Sequence, residues 1–307
     1  MRFHTGELSV QQQAGVRTVA DEVGEGIHGS FTAAAKAFLE LQQLVILGTL
    51  DLKNYMWASV ATGDRGFVKV VDEKTLRIAA LPASGDPLLK NLAREGHVGL
   101  LAPDFVAPRR LRVNGRGLIK DGQIYIEANE IYGNCRRYIQ ERAFVGVRQA
   151  GPTRTGISRS SRLSAAQRQQ ISLADTFFIA SDHPRRGADI SHKGGSSGFV
   201  RVLDETRIAF PDYNGNSMFN TLGNITVNPH VGLLFIDFDN GRTLQLTGDA
   251  SIDWSPKRVE AFAGAERVVD FKVAQILENQ AGFNLESKFR AASRSNPQPS
   301  GAGQRAQ

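Results

Sequence analysis

One cysteine, Cys135, stands among 307 residues, so neither an intrachain disulfide nor an all-cysteine zinc site can form. No apolar run approaches the ~20 residues that span a bilayer. The opening MRFHTGELSVQQQ carries neither an apolar stretch nor a small-residue cleavage pattern. These absences lead to the expectation of a cytoplasmic protein with no membrane partner. HExxH, GxSxG, GxxxxGK(S/T) and paired CxxC are missing too, and with them the chemistries those spacings serve. The six histidines are scattered, none at metal-ligand spacing from another. Lys and Arg exceed Asp and Glu by 37 to 31, a net charge of +6. Arg154, Arg159 and Arg162 form a local basic stretch, with no helix-turn-helix, zinc finger or aromatic-basic platform beside them. Nucleic acid is therefore not expected as a partner, whereas a modest positive surplus suits an anionic small ligand.

What the sequence does contain is repetition. HVGLL occupies residues 97–101 and again 230–234. GFVKVVDEKTLRIA precedes the first copy and GFVRVLDETRIA the second, and Asp-Phe pairs (Asp104-Phe105, Asp237-Phe238) follow. Order and spacing persist for about fifty residues, too long for a solenoid unit and suited to a duplicated domain. The expected division is an arm at 1–30, a first repeat at 31–145, a linker at 146–163, a second repeat at 164–285 and a disordered tail at 286–307. Helical spacing predicts helices over 31–43, 134–142 and 164–174. DPLLKNLAREG reads as a short helix with Asp86 as N-cap and Pro87 at its first position. The rest of each repeat is short β-branched strands broken by Gly, Asn and Asp. The predicted fold class is thus mainly β with short helices: two small antiparallel barrels forming an intrachain pseudo-dimer, with a ligand cleft at their interface.

Differences between the copies point to a site. In the first, SGDP places a carboxylate, Asp86, where it would repel a phosphate. In the second, YNGNS places neutral Asn216 and Ser217 there, leaving backbone N–H groups for an anion. The loop DHPRRGADISHKGG adds Arg185, Arg186, His192 and Lys193, and Arg201 on the next strand offers a bidentate phosphate partner. His97 and His230 read as barrel-edge residues, and Cys135 as a buried small apolar side chain.

The stretch GADISHKGGSSGFVRVLDETRIAFPDYNGNSMFNTLGNITVNPHVGLLFIDF resembles the pyridoxamine 5'-phosphate oxidase-like FMN-binding split barrels, most closely their tandem subgroup; GNCRRYIQER is similar to a segment of that subgroup. The resemblance covers roughly residues 30–280. It implies FMN as cofactor, its phosphate contacted by Arg201, Asn216, Ser217 and Asn220. Ser191, His192 and Lys193 would lie near the flavin or its ribityl chain, with Trp57 and Ser59 forming the opposite wall. The family's oxidases carry Arg where this chain has Ser196, basic residues at Asn216 and Ser217, and a C-terminal arginine-rich motif that has no counterpart after residue 250. Oxidation of pyridoxamine phosphate itself is therefore not expected. The resulting expectation is an FMN-binding oxidoreductase, one flavin per chain, serving a small-molecule substrate and a reductant or electron-transfer partner. A homodimer of the fused chain stays open, as do a non-catalytic flavin or haem carrier and a deazaflavin-dependent reductase.

Overall fold

A computed structural model describes residues 2–93, 96–148 and 156–298. The first half runs α1 (Thr5–Gln13), α2 (Arg17–Gly24), α3 (Ala33–Glu40), β1 (Leu44–Leu50), β2 (Met56–Thr62), β3 (Val68–Val70) and β4 (Thr75–Ile78). It continues with α4 (Leu88–Asn91), β5 (Gly96–Asp104), β6 (Arg109–Lys120), β7 (Gln123–Asn134) and β8 (Glu141–Val147). The second half has β9 (Ile157–Ser160), α5 (Ala165–Leu173), β10 (Thr176–His183), β11 (Gly187–Gly194), β12 (Arg201–Val202) and β13 (Arg207–Asp212). It closes with α6 (Asn220–Val227), β14 (His230–Ile236), β15 (Thr243–Asp253), α7 (Pro256–Glu260), β16 (Arg267–Asn279) and β17 (Leu285–Ala291).

Sheet order proves the duplication at the level of topology. The first sheet runs β2-β1-β5-β6-β7-β4-β3, and the second runs β11-β10-β14-β15-β16-β13-β12, the same order strand for strand. Even the irregularities repeat, with register shifts at Asn114/Gly115 and at Thr247/Gly248. Each half is a mainly antiparallel split barrel.

The apolar runs LVILGTL and TFFIA alternate between two cores, as period-2 strands must. Val45, Leu47, Phe177 and Ile179 fill their own barrels, whereas Leu44, Ile46, Phe178 and Ala180 join a third core between the halves. Burial on both faces explains why these strands show no polar alternation. The repeated HVGLL sits at this seam. A Cβ on Gly99 would lie 2.8 Å from backbone atoms of Asp189, and one on Gly232 would lie 2.5 Å from the Met56 carbonyl oxygen. Each glycine of the repeated motif thus lets its strand approach the backbone of the other barrel.

Several expectations change. The arm at 1–30 forms two helices. α1 opens on a capping box, with His4 Nδ1 accepting from Gly6 N and the Glu7 carboxylate accepting from His4 N. Its buried face holds Glu7 and Gln11 beside Val10, so it lacks the apolar stripe that betrays a helix. The predicted helix at 134–142 is instead the end of β7, a turn and the start of β8. Part of the predicted linker, β9, pairs with β16, while residues 149–155 lie outside those described. The predicted tail includes β17, which pairs with β8 and ties the C-terminal segment to the first half. α4 starts at Leu88, one residue later than predicted, and Leu88 N donates to Asp86 Oδ1 at 2.9 Å. Asn216 and Ser217 precede α6 by a short loop and do not open the helix.

Candidate functional site

A cleft with about 840 Å³ of empty space, part of it open to solvent, lies where β11 and the loop before α6 face β6 and the end of β7. One wall is second-half: Ser191, His192, Lys193, Asn216, Ser217, Asn220 and Thr221. The facing wall is first-half: Arg110, Arg112, Asn134, Cys135 and Tyr138. Leu101, Phe199, Pro211, Tyr213 and Leu222 give it an apolar side.

Arg112 organises the floor. The residue is 3% exposed, and its guanidinium donates to Ser191 Oγ (2.6 Å), Asn220 Oδ1 (3.1 Å) and Tyr132 OH (3.0 Å) while pairing with Asp189 at 2.8 Å. Burial opposes its charge, but Asp189 and Tyr132 more than offset this, and its pKa is raised. Ser191 Oγ also meets Thr221 Oγ1 at 2.7 Å, linking the floor to the first turn of α6.

Arg110 differs. Its Nη1 donates to His192 Nδ1 at 3.0 Å, and its Nη2 reaches the carbonyls of Cys135 and Arg137. No carboxylate pairs with it among the described residues, and its Nε is buried without a partner. Burial, with Arg112 adding repulsion, pulls its pKa down to about 10, so it stays charged at neutral pH. Because Arg110 can only donate, His192 Nδ1 accepts and Nε2 carries the proton. Burial, then Arg110, hold the His192 pKa well below its ordinary value, so the ring is a neutral prop for Arg110. Lys193 pairs with Asp212. Among the described residues that line the cleft, Arg110 is then the cation with no acidic counterpart.

The loop before α6 is strained toward the cleft. Ser217 and Phe219 hold φ of 61° and 60°, the left-handed region, at a cost on the order of 1 kcal/mol each for non-glycine residues. The Asn216 carbonyl group caps Met218 N (3.2 Å), and its amide donates to Asn134 Oδ1 across the seam (3.3 Å).

The pseudo-twofold axis offers a control. Ser59 lies opposite Leu47 as Ser191 lies opposite Ile179. Gln245 lies opposite Leu234 as Arg112 lies opposite Leu101. Asn91 bonds Thr49 as Asn224 bonds Ser181, both at 3.0 Å. In this twin location Ser59 Oγ donates to Asp86 Oδ1 (2.6 Å) and Gln245 Nε2 donates to Asp86 Oδ2 (3.1 Å). Ser59 and Gln245 are 0% and 1% exposed. The twin is closed by its own carboxylate, held by the counterparts of Ser191 and Arg112. Burial pushes the Asp86 carboxyl up to about 6.

Sequence and family model now meet this geometry. The pyridoxamine 5'-phosphate oxidase family model matches twice, at residues 31–149 and 163–286. The chain belongs to that family. Among solved structures, HupZ of Group A Streptococcus is 17% identical over 40% of this chain and 98% of its own, with a TM-score of 0.33. A candidate pyridoxamine 5'-phosphate oxidase from Lactobacillus delbrueckii is 15% identical over 38% and 94%, with a TM-score of 0.32. The FAD binding protein from Mycobacterium smegmatis is 16% identical over 35% and 95%, with a TM-score of 0.25. No curated protein matches the chain.

Of the nine residues singled out in the sequence, six line the cleft of this oxidase-family pseudo-dimer: Ser191, His192, Lys193, Asn216, Ser217 and Asn220. Three are elsewhere. Arg201, on the edge hairpin β12–β13, stacks 4.0 Å over the Phe262 ring and donates to the Ala261 carbonyl. Trp57 donates to Asp51 at 3.1 Å and is 2% exposed at the seam. Ser59 belongs to the closed twin. The facing wall is carried by Arg110 and Arg112, which the sequence reading missed. Their signal was present: the aligned strands read RRLRV and RTLQL, so the second copy has Thr243 and Gln245 at these two positions. Cys135 follows the end of β7 at the cleft and is only partly buried. Among the described residues no cluster suits a metal ion and no helix is long and apolar enough to cross a membrane.

Proposed function

We propose that the cleft holds FMN and that the protein is an FMN-dependent oxidoreductase working on a small-molecule substrate with a separate reductant or electron-transfer partner. The observation that supports this most is the Arg110–Arg112 pair, with one carboxylate partner between two guanidiniums. A half-buried cation with no carboxylate partner among the described residues favours an anion. The donor set suits a phosphate monoester: two planar guanidiniums, the hydroxyls of Ser191 and Thr221, and the amides of the loop and first turn of α6. The apolar side with Leu101, Phe199 and Tyr213 suits a planar ring. Asp86, the carboxylate in the twin, supports the same assignment, since the counterparts of Ser191 and Arg112 already hold an anionic group there.

FMN, when bound, supplies hydride or single-electron transfer. The chain supplies placement. Arg112 and Ser191 would hold the phosphate, with Arg110 kept in position by neutral His192. Lys193 would keep a positive charge near the ring, moderated by Asp212. The seam between the barrels would exclude water from the buried side. The test is an absorbance spectrum of purified protein and a fluorescence titration with FMN, repeated for Arg110→Ala and Arg112→Met. A yellow protein or tight FMN uptake that both variants lose supports the reading; FMN affinity unaltered in both variants overturns it.

A further inference from the structure

The residues before position 31 lie outside the family match, yet α1 is packed into the back of the cleft. A Cβ on Gly6 would lie 2.1 Å from the Gly223 carbonyl oxygen, and one on Gly223 would lie 2.6 Å from Glu7 N, so α1 and α6 touch backbone to backbone. Gln11 Nε2 donates to the Met218 carbonyl at 2.9 Å, in the strained loop before α6. His4 Nε2 donates to Asn224 Oδ1 at 2.9 Å. Between them Glu7, 5% exposed, accepts from Asn220 Nδ2 at 2.6 Å. Asn220 is the residue whose Oδ1 accepts from Arg112.

We infer that α1 is a working part of the cleft and that Glu7 is a positioning residue. By taking the Asn220 amide group, it turns Asn220 Oδ1 toward Arg112 and so sets the guanidinium that faces Ser191. The relay runs from Glu7 through Asn220 and Arg112 to the hydroxyl of Ser191, each link a hydrogen bond of 3.1 Å or less. This rests on the anion-holding reading of the cleft for its ligand readout, but not for its structural one.

The relay carries a charge that changes near neutrality. Burial pushes the Glu7 carboxyl up to about 7, with Asp189 and Glu130 adding to the rise against the bonds from His4 and Asn220. The acidic groups around it are held in ion pairs. Asp189 on β11 is paired with Arg112, and Glu130 on β7 is paired with Arg186 at 2.8 Å. Arg2 and Arg186 line the same small cavity, and burial, then His183, hold the His4 ring down to about 4, so it stays neutral. Glu7, at the head of this relay, thus titrates in the window. Its ionisation adds negative charge behind Arg112 and weakens the hold on an anion as pH rises through 7. Linkage limits the effect of one group to about tenfold in affinity per pH unit.

The test compares wild type with Glu7→Gln between pH 6 and pH 8. The FMN phosphate titrates near pH 6, but it does so equally for both proteins, so the ratio of their dissociation constants isolates Glu7. The expected result is a wild-type to variant ratio that rises several-fold from pH 6 to pH 8. In parallel, hydrogen exchange of amides 217–224, corrected for intrinsic rate, is followed without ligand. Protection there should fall with pH in wild type and stay level in Glu7→Gln. If FMN binds neither protein at any pH, the cofactor reading fails while the exchange profile still decides the positioning role. If both proteins show the same pH profile of exchange, or a constant affinity ratio with intact folding, the inference is wrong.

Discussion

Asp86 is the sharpest place to test the asymmetry between the two halves. In the structure its carboxylate is enclosed by Ser59, Gln245 and the N–H of Leu88; no described residue forms an ion pair with it, and Arg159 close by lowers its pKa slightly. Burial raises it from 3.8 to about 6, and the three hydrogen bonds only partly counter this. The folded protein therefore holds this proton more tightly than the unfolded chain does. Between those two values folding takes up a proton, and stability falls as pH rises. At about 1.4 kcal/mol per pH unit, the folded state forfeits about 3 kcal/mol, all of it lost once the pH exceeds about 6. Asp86→Asn removes this dependence while keeping shape. Its offset from wild type at any single pH depends on how the new amide meets Gln245, but its slope does not. Urea unfolding of both proteins at intervals from about pH 4 to pH 7 gives the difference, in which all other groups, Glu7 included, cancel. The variant should gain about 3 kcal/mol on wild type across that range. Parallel profiles would refute the enclosed carboxylate and, with it, the closed twin.

Four further outcomes are expected. Gly232→Ala and Gly99→Ala place a methyl group against the backbone of the opposite barrel and should each cost about 1–3 kcal/mol in unfolding free energy. Arg112→Met strands buried Asp189 and should cost about 3–5 kcal/mol. Adding Asp189→Asn should recover most of that stability without recovering FMN affinity, as measured by titration. Arg201→Ala, despite its place on the strand the sequence favoured, should leave FMN affinity within about twofold, because the side chain is occupied by Phe262 and Ala261.

Much of the fold was legible because duplication speaks twice. HVGLL, the GFV strands and the Asp-Phe turns carry both the barrel grammar and the pseudo-dimer in the sequence itself. The second-half wall of the cleft was legible as well, because SHK and YNGNS break the symmetry between copies at visible places. The first-half wall was not, since β6 is distant in sequence and its arginines look like ordinary strand-edge charges. Only its role across the seam gives Arg110 and Arg112 their meaning. Trp57 and Ser59 lie on β2, which serves the twin; the first half faces the cleft with β6 instead. The Arg201 side chain turns onto Phe262 and Ala261, a direction that strand position alone does not give. α1 escaped because it buries Glu7 and Gln11, whose polarity reads as solvent exposure. The turn at 134–142 escaped because NCRRYIQER has helical composition and no glycine or proline to break it.

Among the described residues, one of the two pseudo-equivalent sites is an open cleft and the other is closed by Asp86. Isothermal titration of purified, flavin-free protein with FMN measures this directly. One equivalent per chain, abolished by Arg112→Met and retained by Asp86→Asn, is the predicted result. No binding, or two equivalents of equal affinity, would contradict it.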